Sequence, residues 1–500
     1  MEIDIWKSHL QHWEQYLDQQ IECAAQKEDF GAQKKAQRQL QTLRNVEYAA
    51  VLNPGLIAEF IDPIIDADPF IPDSFFLPLN SSQKCAVCMA LGDGYMNLIQ
   101  GPPGTGKTQV IAEICLQLHK RNPNIRILVC SETHVAVNNL IARIAERVAK
   151  LDINMRMVRI QDREMDQTID EFSTESILTG YRKWLDQFCI DGDVKNALFD
   201  VFCSADDRSL EKALALSSNV VGMTCNRVAA YSFQTSLEMF DVAIVDEVCK
   251  ATLPEILIPL CVSYKAILVG DPKQLPPVFC SDDREIIRQL RTYDLLHHMH
   301  IDQLYKSAKN VSVLNTQYRM TKQIGAMISD VFYAGCLEDG RNMDSPDSLL
   351  WVDYKPSKVW PEEGALETEI YNLDECALIA SIIKSFGSSL ESKKIAVIAP
   401  YRAQVRELRK VLSSNVSVNT VDAFQGKESD VVIFSLTRTH GSLEANLFLA
   451  DNRRLNVALS RAKDKLIIVG NKEYAAKNAL LRAIMGKCIL SCASQYASVT

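Results

Sequence analysis

The sequence predicts an α/β protein of two tandem domains, each a parallel sheet covered by helices on both faces. Three observations carry that prediction. From about residue 80 onward, short β-rich apolar runs at 125–130, 241–245 and 266–270 alternate with helix-like stretches, the pattern of strands joined by helical crossovers. A second set at 395–399, 431–435 and 466–470 follows after roughly 120 residues and reads as a second domain of the same construction. The run ending Asn97-Leu98-Ile99-Gln100 flows into Gly101-Pro102-Pro103-Gly104-Thr105-Gly106-Lys107-Thr108 and then into an apolar-periodic stretch at 110–118. That is a strand, a phosphate loop and a helix in order.

Ahead of this core, Trp6, Leu10, Trp13, Leu17, Ile21 and Ala24 recur at intervals of three and four and predict an amphipathic helix. Lys27, Lys34, Lys35, Arg38 and Arg44 give its continuation a basic, solvated face. Asn53-Pro54-Gly55 ends the helix, and Pro63, Pro69, Pro72 and Pro78 mark a loop-rich passage. The expected organisation is an N-terminal helical segment at 1–50, a linker at 51–78, a first domain at 79–285, a second at 286–485 and a tail at 486–500. Residues 151–217 interrupt the first domain with helix-like segments and no evident sheet strand, and are read as an inserted helical subdomain.

Five hundred residues at 47% hydrophobic and 23% charged leave room for two to four domains with sizeable cores. No run of eighteen apolar residues occurs, and Met1-Glu2-Ile3-Asp4-Ile5 lacks the basic-then-apolar form of a signal peptide. The expectation is an intracellular protein, cytoplasmic ahead of nuclear, with no membrane partner. Fifteen cysteines scattered through apolar segments read as reduced thiols. Cys85-x-x-Cys88 reads as packing, since zinc would need two more ligands from Cys488 and Cys492, and His297-His298-Met299-His300 reads as a linker. A net charge of −9 excludes a chain coated in basic residues. Its distribution is uneven: 151–217 holds fourteen acidic and eight basic residues, whereas 393–472 holds fourteen basic and seven acidic.

The chemistry follows from the motifs. Gly101, Gly104 and Gly106 let the loop, with Pro102 and Thr105, curl so that its backbone N–H groups and the helix N-terminus face the phosphates of a nucleoside triphosphate, with Lys107 supplying charge and Thr108 an oxygen for Mg²⁺. Proline itself contributes shape and no donor. About 140 residues later, Asp241-Val242-Ala243-Ile244-Val245-Asp246-Glu247 is a buried strand ending in two carboxylates. Asp246 can hold Mg²⁺ through water, and Glu247 can take the proton of the attacking water. The next strand ends at Gly270-Asp271-Pro272-Lys273-Gln274, where the Gln274 amide is placed to reach the γ-phosphate or its water. ATP and Mg²⁺ are the cofactors this order predicts.

With these motifs in order, the chain resembles the superfamily 1 helicases of the Up-frameshift-like branch over about residues 78–475. The resemblance implies two RecA-like domains, a stalk-like N-terminal helix, and ATP hydrolysis at the cleft between the domains. It implies that Gln83, in Leu79-Asn80-Ser81-Ser82-Gln83, reads adenine, that Tyr318 stacks on it, and that Arg319 touches the γ-phosphate. In Val421-Asp422-Ala423-Phe424-Gln425-Gly426-Lys427-Glu428 it places Gly426 and Glu428 beside the nucleotide, Glu428 near the ribose. It makes Arg461 of Leu455-Asn456-Val457-Ala458-Leu459-Ser460-Arg461 an arginine finger. Thr133, His134, Asn138, Thr224, Pro400, Tyr401, Arg402 and Thr420 are implied to line a track for single-stranded nucleic acid, RNA slightly ahead of DNA, travelled 5′ to 3′. For each hydroxyl a helix cap is the structural alternative. The sequence also departs from the pattern. Lys250 stands where the family usually has glutamine, and the acidic insertion disfavours phosphate, so that it or the N-terminal helix is a candidate protein-binding element. The rival readings are an ATP-gated protein switch and a motor subunit of a nuclease or defence assembly.

Overall fold

The computed structural model describes residues 2–62, 68–161, 171–187, 207–235, 240–279, 285–287, 290, 311–361, 369–386, 393–424, 426–440 and 451–499. The run His297-His298-Met299-His300 and Gln425 lie outside them. The chain divides into two units. The first holds Met1–Gly101, Gly106–Asp271 and Pro276–Leu314, and the second holds Pro102–Thr105, Pro272–Leu275 and Asn315–Thr500.

The first unit is built on β1 (Met96–Gln100), β2 (Ile127–Ser131), β3 (Met157–Arg159), β4 (Val220–Thr224), β5 (Phe240–Val245), β6 (Ser263–Gly270) and β7 (Val311–Val313). They form one sheet in the order β3-β4-β2-β5-β6-β1-β7, every pairing parallel. Strands β1, β2 and β4 are buried along their whole length, which is why they read as mostly apolar runs rather than alternating ones. The loops after β1, β2, β5 and β6 therefore leave the same carboxyl edge, the usual place for a ligand in such sheets.

Three features differ from the sequence expectation. The division falls after Leu314 rather than between 285 and 286, because β7 pairs with β1, Leu98 lying opposite Val311. The insertion at 151–217 contributes a strand as well as helices: β3 sits at the sheet edge beside β4. The N-terminal segment is two helices, Glu2–Gln26 and Phe30–Glu47, broken where Glu28 takes φ 55° and Asp29 accepts from the N–H of Ala32 at 3.0 Å. Trp13, Leu17, Leu40 and Leu43 join one apolar core with Leu56 and Phe60 of the helix Pro54–Ile61 and with Leu128, Ala243 and Leu268 of the sheet. Polar contacts reinforce this: the Lys35 ammonium lies 2.9 Å from Glu255, which also accepts from Gln39 and Asn226. The N-terminal helical segment and part of the expected linker thus pack into the core of the first unit.

In the second unit, β8 (Thr316–Gln317) and β9 (Glu338–Asp339) form a short parallel pair. Strands β10 (Leu349–Asp353), β11 (Ile395–Ala399), β12 (Ser417–Thr420), β13 (Ser429–Ser435), β14 (Ala462–Val469) and β15 (Ile489–Cys492) form a parallel sheet in the order β12-β11-β13-β14-β10-β15. The expected tail thus supplies an edge strand. Beneath the carboxyl ends of β11 and β13 lies a buried polar cluster. Glu375 accepts from the Tyr354 hydroxyl at 3.0 Å, the Ser435 hydroxyl at 2.6 Å and the Thr437 N–H at 2.8 Å. Asn372 donates to Tyr354 and to the Thr437 carbonyl. Together they hold Thr437, a β-branched residue, at φ 70°. Among the described residues of both units, no helix is long and apolar enough to cross a membrane.

Candidate functional site

In the first unit the phosphate loop leaves β1 with the Gly101 N–H bonded to the Gly270 carbonyl at 2.8 Å, which ties the ends of β1 and β6 together. Gly106 caps the helix Lys107–Arg121 in a left-handed conformation, φ 81°. A Cβ there would come 2.7 Å from the tip of Gln83, and the positive φ itself strains any residue with a side chain, so the position favours glycine. Lys107 turns its ammonium back onto the Gly101 carbonyl at 2.8 Å, and Thr108 is half-buried on the first helical turn. Gln83 is nearly fully buried, and its side-chain oxygen closes a capping box by accepting from the Asn80 N–H at 3.0 Å. Its position therefore comes from the start of its own helix. Glu113, two turns into the phosphate-loop helix and fully buried, accepts from the N–H groups of Phe76 and Leu77 and so fixes the approach to that cap.

The carboxylate pair follows β5. The Asp246 N–H bonds the Cys130 carbonyl at 2.9 Å, and its carboxylate accepts from the Glu247 N–H at 2.9 Å. Burial first, and then the adjacent Glu247 carboxylate, push Asp246 up to about 6 against the opposing pull of Lys107. Glu247 adopts φ 54°, a left-handed conformation that costs about 1 to 3 kcal/mol for a residue with a side chain. It is held there by the single turn Val248–Lys250, whose Lys250 N–H donates to the Glu247 carbonyl at 2.9 Å. Gln100 reaches the buried Asp271 at 3.3 Å.

The loop's chemistry fits a Mg²⁺-nucleotide. Thr108 and Asp246 offer hard oxygen donors of the kind Mg²⁺ takes, and the left-handed glycines leave the backbone bare. Among the described residues no group of three or more His, Cys, Asp or Glu is arranged to hold a metal by itself.

The expected track residues of this unit are largely structural caps as they stand. Thr133 caps the helix His134–Ala149 by accepting from the Ala136 N–H, and Thr224 accepts from the Arg227 N–H. His134 is the first residue of that helix and is half-buried. Asn138 accepts from Arg159 of β3, a buried arginine that sequence reading missed because it is twenty-one positions away.

In the second unit, the Gly104 carbonyl accepts from the Tyr318 N–H at 2.9 Å, and a Cβ on Gly104, at φ 77°, would meet Arg319 Cβ at 2.7 Å. Thr105 is buried and donates to the Pro102 carbonyl. The Tyr318 side chain is 44% exposed. Arg319 bonds Glu428 at 2.9 Å and donates to the Ser460 carbonyl, while Lys463 lies 2.6 Å from the same carboxylate. Burial alone would raise Glu428, yet Arg319 and Lys463 hold it below the ordinary carboxylate range. The two groups expected at γ-phosphate and ribose thus neutralise each other in this structure. Arg461 is buried, donating to the Val457 carbonyl at 2.9 Å and to Gln274 at 3.2 Å. Gly426 is exposed at φ 74°.

Of the track residues here, Arg402 is exposed, Pro400 is buried and Thr420 is half-buried. Tyr401 is packed inside the unit. It is 5% exposed, and its hydroxyl accepts from Arg438 at 2.8 Å, so its ring is not presented for stacking. Arg438, like Arg159, is a residue sequence reading missed, since nothing in the sequence links it to Tyr401 thirty-seven positions away.

Comparisons with known proteins show what the chain is similar to. Two family models, each described as an AAA domain, match residues 78–190 with 202–282 and residues 296–473. The chain is 31% identical over 494 residues to the DNA polymerase alpha-associated DNA helicase A of Saccharomyces cerevisiae, covering 83% of this chain and 69% of that one. It is 31% identical over 458 residues to the ATP-dependent helicase NAM7 of the same yeast, and 29% identical over 445 residues to the DNA-binding protein SMUBP-2 of Rattus norvegicus. The matches take in 83% and 81% of this chain but only 44% of each of those two relatives. A solved structure, the helicase nonstructural protein 10 of Arterivirus, aligns over 81% of this chain and 64% of that one at 14% identity and a TM-score of 0.39, too loosely to bear on function.

Proposed function

The chain belongs to the superfamily 1 helicases of the Up-frameshift-like branch, a family of ATP hydrolases, and on that premise we propose that it is an ATP-driven motor on single-stranded RNA or DNA, moving 5′ to 3′. The observation that carries the proposal is the meeting, at one sheet edge, of Lys107 and Thr108 on the phosphate loop with the Asp246-Glu247 pair after β5.

Each residue has a defined task in this reading. Lys107 and the loop backbone bind the phosphates. Thr108 and Asp246 would hold Mg²⁺, which supplies positive charge to the phosphate oxygens. Glu247 takes a proton from the attacking water, and its backbone fixes the direction from which it does so. Gln274 orients that water. Arg319 and Arg461 leave their present carboxylate and amide partners to neutralise charge on the transferring group, the term that makes such arginines effective. Gln83 and Tyr318 hold the adenine. Thr133, His134, Asn138, Thr224, Pro400, Tyr401, Arg402 and Thr420, with Arg438 beside Tyr401, serve strand contact directly or by positioning, chiefly to phosphate and sugar, since a motor must pass any sequence.

Steady-state ATP hydrolysis with no polymer, with single-stranded RNA and with single-stranded DNA tests the proposal, with Glu247→Gln as the blank. Strong stimulation by either polymer is the expected result and names the track. A rate indifferent to both would move the assignment to an ATP-gated protein switch.

A further inference from the structure

Strands β2 and β5 are neighbours, Cys130 lying opposite Val245. The chain leaving β2 is Ser131-Glu132-Thr133, and Thr133 caps the helix that begins with His134. The chain leaving β5 is Asp246-Glu247 and then the turn Val248–Lys250, closed onto the Glu247 carbonyl by the Lys250 N–H. Across these two exits the Lys250 ammonium pairs with the Glu132 carboxylate at 3.0 Å, with side chains only 21% and 28% exposed. Such a half-buried pair is screened less than a surface one. Lys250 occupies the position where the resembling family usually carries glutamine, which has no charge to form this pair.

We infer that Lys250 is a positioning residue whose ion pair with Glu132 links the loop bearing Thr133 and His134 to the turn that fixes Glu247, so that filling the strand track is felt at the catalytic carboxylate. The lever is short. Glu132 precedes a helix cap and moves with it, while Lys250 ends a three-residue turn whose first carbonyl belongs to a strained residue. Glu247 sits in a narrow left-handed well, so a small displacement of the turn re-aims its carboxylate. Lys35 of the N-terminal hairpin also feels the Glu132 charge, but its direct partner is Glu255 at 2.9 Å. Lys250 is thus the cation that bridges the two exits.

This inference rests on the proposed nucleic-acid track, and its test separates the two. ATP turnover is measured with and without single-stranded RNA and DNA for the wild type, Lys250→Ala, Glu132→Ala, the double alanine variant and the charge swap Lys250→Glu with Glu132→Lys. Each single variant should lose about tenfold in polymer stimulation, in the range of ordinary coupling between sites, with polymer-free turnover and the KM for ATP unchanged. The double variant should be no worse than either single one, and the swap should recover most of the stimulation. Full stimulation in the single variants, multiplicative losses in the double, or an equal fall in polymer-free turnover would overturn the linkage alone. A wild type indifferent to both polymers would overturn the track and the linkage together.

Discussion

Replacing Trp13 by alanine tests whether the N-terminal hairpin belongs to the core of the first unit or is a detachable stalk. The indole is 1% exposed and packs against Tyr16 at 5.6 Å and Phe279 at 5.7 Å between ring centroids. Burying a tryptophan removes on the order of 200 Å² from water, worth about 5 kcal/mol at 25 cal/mol per Å². Against this, the Trp13 Nε1 group is buried with no hydrogen-bond partner among the described residues, a desolvation cost of about 1 to 3 kcal/mol that the truncation relieves. The net loss for Trp13→Ala is therefore about 3 kcal/mol, and Trp13→Phe, which keeps a ring and discards the orphan N–H, should cost about 1 kcal/mol. Urea unfolding followed by far-ultraviolet circular dichroism should show the transition of the first unit falling by about 1 M for the alanine variant, taking a slope of about 3 kcal/mol per M. The second unit's transition should not move. A shift below about 0.2 M, a loss near 0.5 kcal/mol on the same slope, would refute the core assignment.

Two further outcomes are expected. Burial pushes the Glu375 carboxyl up to about 7 from an ordinary 4.5 against the lowering effect of its Ser435, Thr437 and Tyr354 donors, so the folded second unit favours the protonated acid. Stability from this group is fully present below about pH 4.5 and is lost as pH rises through about 7, a fall of about 3 kcal/mol. Glu375→Gln should flatten that part of the curve when the melting temperature of the second unit is followed from pH 4.5 to 8, and an unchanged slope would exclude Glu375 as its source. Arg461→Ala should lower kcat by about a thousandfold with much less effect on ATP binding. Equal losses in both would count against a role in the transition state, circular dichroism confirming that the variant remains folded.

What was legible in the sequence follows from burial. Strands covered on both faces, such as β1, β2, β5, β11 and β13, carry mostly apolar runs, and each of the first three ends in a motif that marks its carboxyl end. Edge strands carry a weaker signal. β3 and β7 are three residues long, and Ile489 and Leu490 of β15 are exposed, so none of these stands out from a loop. That is why the sequence puts the end of the first unit about thirty residues early and reads β15 as tail. The break in the N-terminal hairpin was hidden because Lys27-Glu28-Asp29 holds neither glycine nor proline, the usual punctuation. In the site, the phosphate loop and carboxylate pair were legible because adjacent residues do the work. The pairing of Arg319 with Glu428, of Arg438 with Tyr401 and of Lys250 with Glu132 was not, since each joins residues from different loops and only the sheet order brings them together.

The strand order also sets a timetable for synthesis. Strand β1, which carries the phosphate loop, is flanked by β6 and β7, and the second of these ends at Val313, long after β1 ends at Gln100. At roughly 5 to 20 residues per second, about 10 to 40 s of translation separate the emergence of the loop from that of its last supporting strand. During that interval the nascent chain carries an apolar strand with one or both edges open, the condition that invites wrong pairing and chaperone capture. Because the loop cannot be rigid until both flanking strands arrive, nucleotide binding by this unit is expected to begin only once Val313 has left the ribosome.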